Sequence, residues 1–331
     1  MEHIQQAARP SRGPLSRGAA GTLLRGFSQI FFQAQLLPGL LILAAFAVAS
    51  WQMALLAILG AAASTVSGAL MRAPAAVVRA GDHGFCGALV GAAAFAAIGG
   101  GVPGAIAAVL GGAACAPVTW VVQRVFRTAL LEPLKLPSIT APFCIVAGIL
   151  FFATAERRVA PAYIALDGSP LALFLRSILA NVSQVMLIDS VIAGGLILAA
   201  LFFSQWKVGV AAILGSVLTS VMAAVIGAEP LLLGHGMLGY SSVLVAIAMA
   251  ALFVAGSWQP WALAAIGALL AGALSMLFQG VPALYTWPFV VVTWLLLIVV
   301  HLVPVLKRAP GHVSAGTDLV GLGSRSLPTA L

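Results

Sequence analysis

Long apolar runs, broken by short polar or basic punctuation, fill the chain from about residue 20 to residue 306. A helix needs about 20 residues to cross a bilayer, and fewer in some packed bundles. On that scale the pattern predicts spans at 36–51, 53–71, 84–99, 101–125 and 141–156, then at 191–204, 207–226, 239–256, 259–279 and 287–306. Ahead of each set lies a shorter segment, 21–34 and 173–188, that holds a glutamine and is too short and polar to span comfortably. Such segments are tolerated as half-helices where protein or a water-filled path covers their ends.

The two sets are copies. At an offset of 155, Gln29 falls on Gln184, Gly39 on Gly194, Trp51 on Trp206 and Gly84 on Gly239. Leu41–Ala45 falls on Leu196–Ala200, and Ala57–Gly60 on Ala212–Gly215. From Gln29 to Gly91 there are 19 identities in 63 ungapped positions, where a composition this biased would give about a tenth by chance. Shared Ala/Leu bias explains neither the paired tryptophans nor the paired glutamines. Five spans per copy is an odd number, so the copies should lie upside down relative to each other. The expected fold is therefore an all-α polytopic membrane protein: two inverted five-helix repeats, each with a re-entrant half-helix, and ten transmembrane spans. It divides into a tail (1–20), a first repeat (21–156), a linker (157–172), a second repeat (173–306) and a second tail (307–331).

Composition agrees. The chain is 62% hydrophobic and 7% charged, against about 25% charged in soluble domains. A net charge of +8 is compatible with nucleic-acid binding, but no basic helix with interleaved aromatics exists to carry it. With the N-terminus in the cytosol, tails and inner loops collect 13 of the 16 Lys and Arg, leaving Arg157, Arg158 and Arg176 as misfits. That balance predicts both termini cytoplasmic. The three cysteines are scattered in apolar surroundings and read as small buried hydrophobes. The five histidines lack metal-ligand spacing, so neither a metal nor a cofactor is expected.

Inverted repeats usually put the solute path at their interface, flanked by broken helices. Three paired motifs lie where it would run. The first is Ser28-Gln29-Ile30-Phe31-Phe32 against Ser183-Gln184-Val185-Met186-Leu187. A buried glutamine amide must find partners, either in a neighbouring helix or in a passing solute. The second is Gly84-Phe85-Cys86-Gly87-Ala88-Leu89 against Gly239-Tyr240-Ser241-Ser242-Val243-Leu244. Its aromatic offers a flat wall, and the leucine four residues on lies on the same helical face; for either copy alone, ordinary packing is an equal explanation. The third is Thr140-Ala141-Pro142-Phe143 against Thr286-Trp287-Pro288-Phe289, now at an offset of 146. Thr then Pro suits a helix start, with Thr as the N-cap, while each hydroxyl could also serve a solute as donor and acceptor. Charge is almost absent from the spans. Asp189, at the end of the second half-helix, is the one obvious candidate for ion coupling.

Together, in this order and twice over, these motifs resemble the urea transporter family, and a bacterial member of it, across residues 22–306. The family pattern has a Q-x-x-F-like segment, a G-[FY]-N-[GS]-x-L segment and a T-x-P-F segment in each half. The resemblance implies a homotrimer in the cell inner membrane, each protomer with its own pore for urea. Gln29, Gln184 and half-helix carbonyls would accept urea N–H groups. Phe32 and Phe85 would form one slot and Leu187 and Tyr240 the opposite one, Leu89 and Leu244 would also belong to the pore, and Thr140 and Thr286 would sit at the central constriction. Three departures stand out: the family asparagine is Cys86 in one half and Ser241 in the other, the common Asp-Asn pair is Ala34-Gln35 and Asp189-Ser190, and the second slot has Leu187 for phenylalanine. They leave a related small amide such as acetamide open as the solute. An ion-coupled carrier using Asp189 is the competing reading. A membrane-embedded enzyme would need convergent catalytic groups, and the sequence has no His/Asp/Glu cluster to supply them.

Overall fold

The computed structural model describes residues 18–159, 166 and 168–310. Most of both tails, together with residues 160–165 and 167 of the linker, lie outside the described residues. Ala, Leu and other good helix formers fill the apolar runs, and helices follow. In the first half they are α1 (Ala19–Gln29), α2 (Leu36–Ala49), α3 (Trp51–Leu70), α4 (Ala75–Ala80), α5 (Gly84–Ile98), α6 (Val102–Phe126) and α7 (Ala141–Ala153). In the second half they are α8 (Pro170–Gln184), α9 (Val191–Ser204), α10 (Trp206–Val225), α11 (Pro230–Gly234), α12 (Tyr240–Phe253, its last six residues widened into π turns), α13 (Gln259–Leu277) and α14 (Trp287–Leu302).

The helices repeat as the residues do. α2 and α3 begin and end 155 positions before α9 and α10, residue for residue. The turns repeat too. Left-handed backbone recurs at Phe32 and Leu187 (φ 62° and 60°), at Gly81 and Gly236 (φ 85° and 71°), and at Ile139 and Tyr285 (φ 39° and 41°). Short α4 and α11 are also a pair, and the hydrophobic pattern had not predicted either.

Four described helices, α3, α6, α10 and α13, are long and apolar enough to cross a membrane by themselves. The other six predicted spans are apolar helices of 10–17 residues. At 1.5 Å per residue, the 13 residues of α7 reach about 20 Å, short of the ~30 Å hydrocarbon core. Glycine lets the half-helices lie close against the bundle. A Cβ at Gly39 would sit 1.8 Å from the Leu24 carbonyl oxygen, and one at Gly194 would sit 2.2 Å from that of Leu179.

One large apolar core runs through both halves. α2 packs on α9, and α7 meets α14. Across the same boundary, Ser204 Oγ donates to Gln33 Oε1 (2.5 Å), and Trp294 Nε1 donates to the Pro137 carbonyl (2.9 Å). After α14 the chain forms a two-residue strand, β2 (Lys307–Arg308), antiparallel to β1 (Val254–Ala255). Arg308, assigned from sequence to the tail, donates to the carbonyls of Leu134 (2.6 Å), Lys135 (2.9 Å) and Leu297 (3.1 Å).

A candidate solute path between the two halves

Both half-helices stop the same way. α1 and α8 end on Gln29 and Gln184, and the chain then turns through left-handed Phe32 and Leu187. The Gln33 N–H reaches back to the Ser28 carbonyl (3.1 Å), and the Ile188 N–H to that of Ser183 (3.3 Å). This is the closing bond of a Schellman turn, in which glycine usually holds the left-handed place. A side chain there costs about 1–2 kcal/mol, so something must gain from having one. Phe32 lies 6.0 Å from the Phe289 ring and 6.5 Å from that of Phe253, both in the opposite half.

α7 and α14 begin at Thr140 and Thr286, with proline in the first turn as expected, but neither threonine side chain caps its own helix. The expected N-cap bond is missing because each hydroxyl has a competing partner. Thr140 Oγ1 and Thr286 Oγ1 are 2.7 Å apart, both buried, joining residues 146 positions apart in sequence. Cys144 Sγ lies 3.1 Å from Thr286 Oγ1. Left-handed Ile139 and Tyr285 set the turns just before the threonines. The Tyr285 carbonyl accepts from Tyr240 Oη at 2.7 Å.

A cavity of about 330 Å³ reaches Thr286 of this pair, while Thr140 is not part of its lining. Gln184, Leu187, Tyr240 and Thr286 line it from the second half, and Phe143 and Phe151 close it from the first. It therefore lies between the halves. The lining joins amide, hydroxyls, aromatic faces and aliphatics, with no charged side chain. Such a surface suits a small neutral solute that can donate and accept hydrogen bonds.

The remaining predicted residues lie elsewhere. Leu89 and Leu244 are wholly buried in the core (0% and 1% exposed), and neither lines this cavity. Phe85 is half-buried against the same core. Gln29 donates its amide to Asp82 Oδ1 (2.6 Å) and to the Ala80 carbonyl (3.3 Å). Asp189 is bonded to Arg176 (2.8 Å) and to His235 Nδ1 (2.5 Å). Arg176 also donates to the Gly234 carbonyl. Here the misfit arginine of the charge count meets the carboxylate considered for ion coupling.

Sequence reasoning missed Tyr285, Cys144 and Asp82. Cys144 is buried as expected, but its thiol touches a motif threonine. A spacing of four from Thr140 hinted at that; the partner, Thr286, lies in the other half.

A model of the family described as "Urea transporter" matches residues 20–301, from the first turn of α1 to the last turn of α14. Urea transporter 1 of Capra hircus and of Ovis aries are each 27% identical over 306 residues, covering 87% of this chain and 79% of the relative. Urea transporter 1 of Mus musculus is 28% identical over 311 residues, with the same coverage. The match takes in both half-helices, both threonine motifs and every helix that builds the cavity between them, and on that extent the chain belongs to the urea transporter family.

Proposed function

We propose that this protein conducts urea down its gradient, as a channel, through a path between its two halves. The observation that carries the reading is the uncharged cavity of Gln184, Leu187, Tyr240 and Thr286, reaching the Thr286 that meets Thr140. Urea is flat and neutral, with one strong acceptor and four N–H donors. Aromatic faces select flatness, while amide, hydroxyl and carbonyl oxygens replace its water shell. Gln29 and Gln184 lead into the two slots. The paired threonines form the constriction, where their mutual bond opens to let urea bond in its place. Phe32 and Phe85 form the second slot by the same logic, and Leu89 belongs to the core they pack against.

The halves are inverted, giving ten spans with both termini cytoplasmic in the cell inner membrane, and protomers assemble as trimers. Support for the topology comes from the repeat, the odd span number and the distribution of basic residues; the trimer and the inner membrane rest on the resemblance to the family. Ion coupling through Asp189 is disfavoured, because Arg176 and His235 already occupy that carboxylate.

Stopped-flow urea uptake into proteoliposomes tests the function. Flux should be fast, show no dependence on sodium and never accumulate urea against its gradient, even when a proton or sodium gradient is imposed. Gradient-driven accumulation would replace the channel with a carrier. For the topology, single cysteines near Lys207 should be shielded from an impermeant external thiol reagent, and those near Glu229 labelled. Equal labelling of both would overturn the span count.

A further inference from the structure

The two ends of the proposed path differ at several positions where the repeat would make them alike, and one of these places a carboxyl beside Gln29. Asp82 occupies the position that Met237 holds in the second half, 155 residues on. Left-handed Gly81 brings its turn onto α1: a Cβ at Gly81 would stand 2.4 Å from the Gly26 nitrogen. Asp82 is thereby carried to Gln29, whose Nε2 donates to it at 2.6 Å and to the Ala80 carbonyl at 3.3 Å. Both partners are acceptors, so the nitrogen end of the amide must face them and Oε1 must point away. Met237 can offer Gln184 no such hold.

We propose that Asp82 is a positioning residue for the transport path, whose carboxylate turns the Gln29 oxygen toward urea and whose protonation withdraws it. This inference rests on the reading of Gln29 as part of that path. As a carboxylate, Asp82 can only accept, so it takes the Gln29 N–H and leaves Oε1 to accept from a urea N–H. With one proton added, the acid both accepts from Nε2 and donates its O–H to Oε1. The closed pair turns Oε1 back onto Asp82, away from the path, and occupies one of its two lone pairs. A carboxylic acid kept neutral by its surroundings is an effective donor of this kind.

The charged or titratable groups on the elements around Asp82 are few. Arg25 of α1 donates to the carbonyl of Arg79, itself a charged residue in the last turn of α4. Arg72 lies in the turn before α4, and His83, next in the chain, lies with its ring against Gly68. Asp82 itself sits in the turn between α4 and α5, outside the spans. Burial raises its carboxyl from 3.8 to about 7, against a smaller opposing effect of the Gln29 bond. The switch therefore falls near neutral pH, and flux rises with pH as the proton leaves.

The test is urea flux at equal pH on both sides of the vesicle, from about pH 5.5 to 8.5, a range that brackets the raised carboxyl. Wild-type flux should rise about five-fold, the worth of one hydrogen bond, with its midpoint near the titration of Asp82. Asp82→Asn can form the closed amide pair at every pH, so it should stay flat at the wild-type low-pH level. Asp82→Met copies the second half and should be flat and faster than Asp82→Asn. A flat wild-type profile, or a wild-type midpoint surviving in either variant, overturns the proposal. Failure of the urea reading looks different: wild type would carry no urea at any pH. The positioning claim then keeps its own readout, a protonated-carboxyl band in pH-difference infrared spectra that titrates near neutrality and vanishes in Asp82→Asn. Persistence of that band in the variant also overturns it.

Discussion

Urea flux through Thr286→Val is expected to fall roughly 5- to 150-fold, the cost of about 1–3 kcal/mol for a hydrogen bond unmade at the narrowest point. Valine keeps the volume and removes the hydroxyl. Both Thr140 Oγ1, at 2.7 Å, and Cys144 Sγ, at 3.1 Å, lose their partner. The helix start should survive, because Thr286 makes no side-chain cap and Pro288 is untouched. A comparison of single and double variants separates transport from stability. The single change strands a buried hydroxyl and should lower the thermal midpoint. Thr140→Val/Thr286→Val removes both members of the pair and should recover much of that loss, as matched apolar replacements often do. Flux should go the other way and be slowest in the double variant. Normal stopped-flow flux in both single variants would remove the threonines from the mechanism.

The second large effect concerns stability. Asp189→Leu should cost about 1–3 kcal/mol, the range for hydrogen bonds to a charged group and less than for a fully buried ion pair, because this pair is part-buried. Arg176 and Asp189 side chains are only 16% and 14% exposed, so little solvent remains to compensate. The pair ties the middle of α8 to the turn that follows it, and His235 ties that turn to the end of α11. Its loss should loosen the half-helix that presents Gln184. Thermal unfolding in detergent should show a large drop for Asp189→Leu and for Arg176→Leu. The double variant should regain most of it, since no charge is then left alone. Equal, additive losses would mean that the two residues act independently. Residual urea flux in Asp189→Leu should remain insensitive to sodium, as expected of a brace.

Much of this was legible beforehand because the sequence carries it locally and twice. The ten apolar runs became ten helices, with most ends within two or three residues of those predicted, and the glutamine segments became α1 and α8. The offset of 155 that aligned Trp51 with Trp206 also aligned helix ends and left-handed turns. Hydropathy reports which segments leave water, and a copied sequence folds into a copied backbone. Threonine-proline marked the starts of α7 and α14 correctly, since proline in a first turn loses no helical hydrogen bond.

What the threonine hydroxyls do was a matter for the tertiary structure. A local rule assigns each to its own helix, but a second hydroxyl 146 residues away lies within 2.7 Å and takes its place. The same holds for Asp82 under Gln29, Cys144 beside Thr286, and Arg308 on the carbonyls around Lys135. The placement of Arg176 and His235 about Asp189 also belongs to this group. By itself the sequence determined the membrane class, the duplicated helical unit and the paired motifs, because period, composition and repetition are properties of neighbouring residues. Tertiary structure alone decided which polar groups meet. That choice depends on how two rigid halves sit against each other to within about an ångström, a distance over which a hydrogen bond is made or lost.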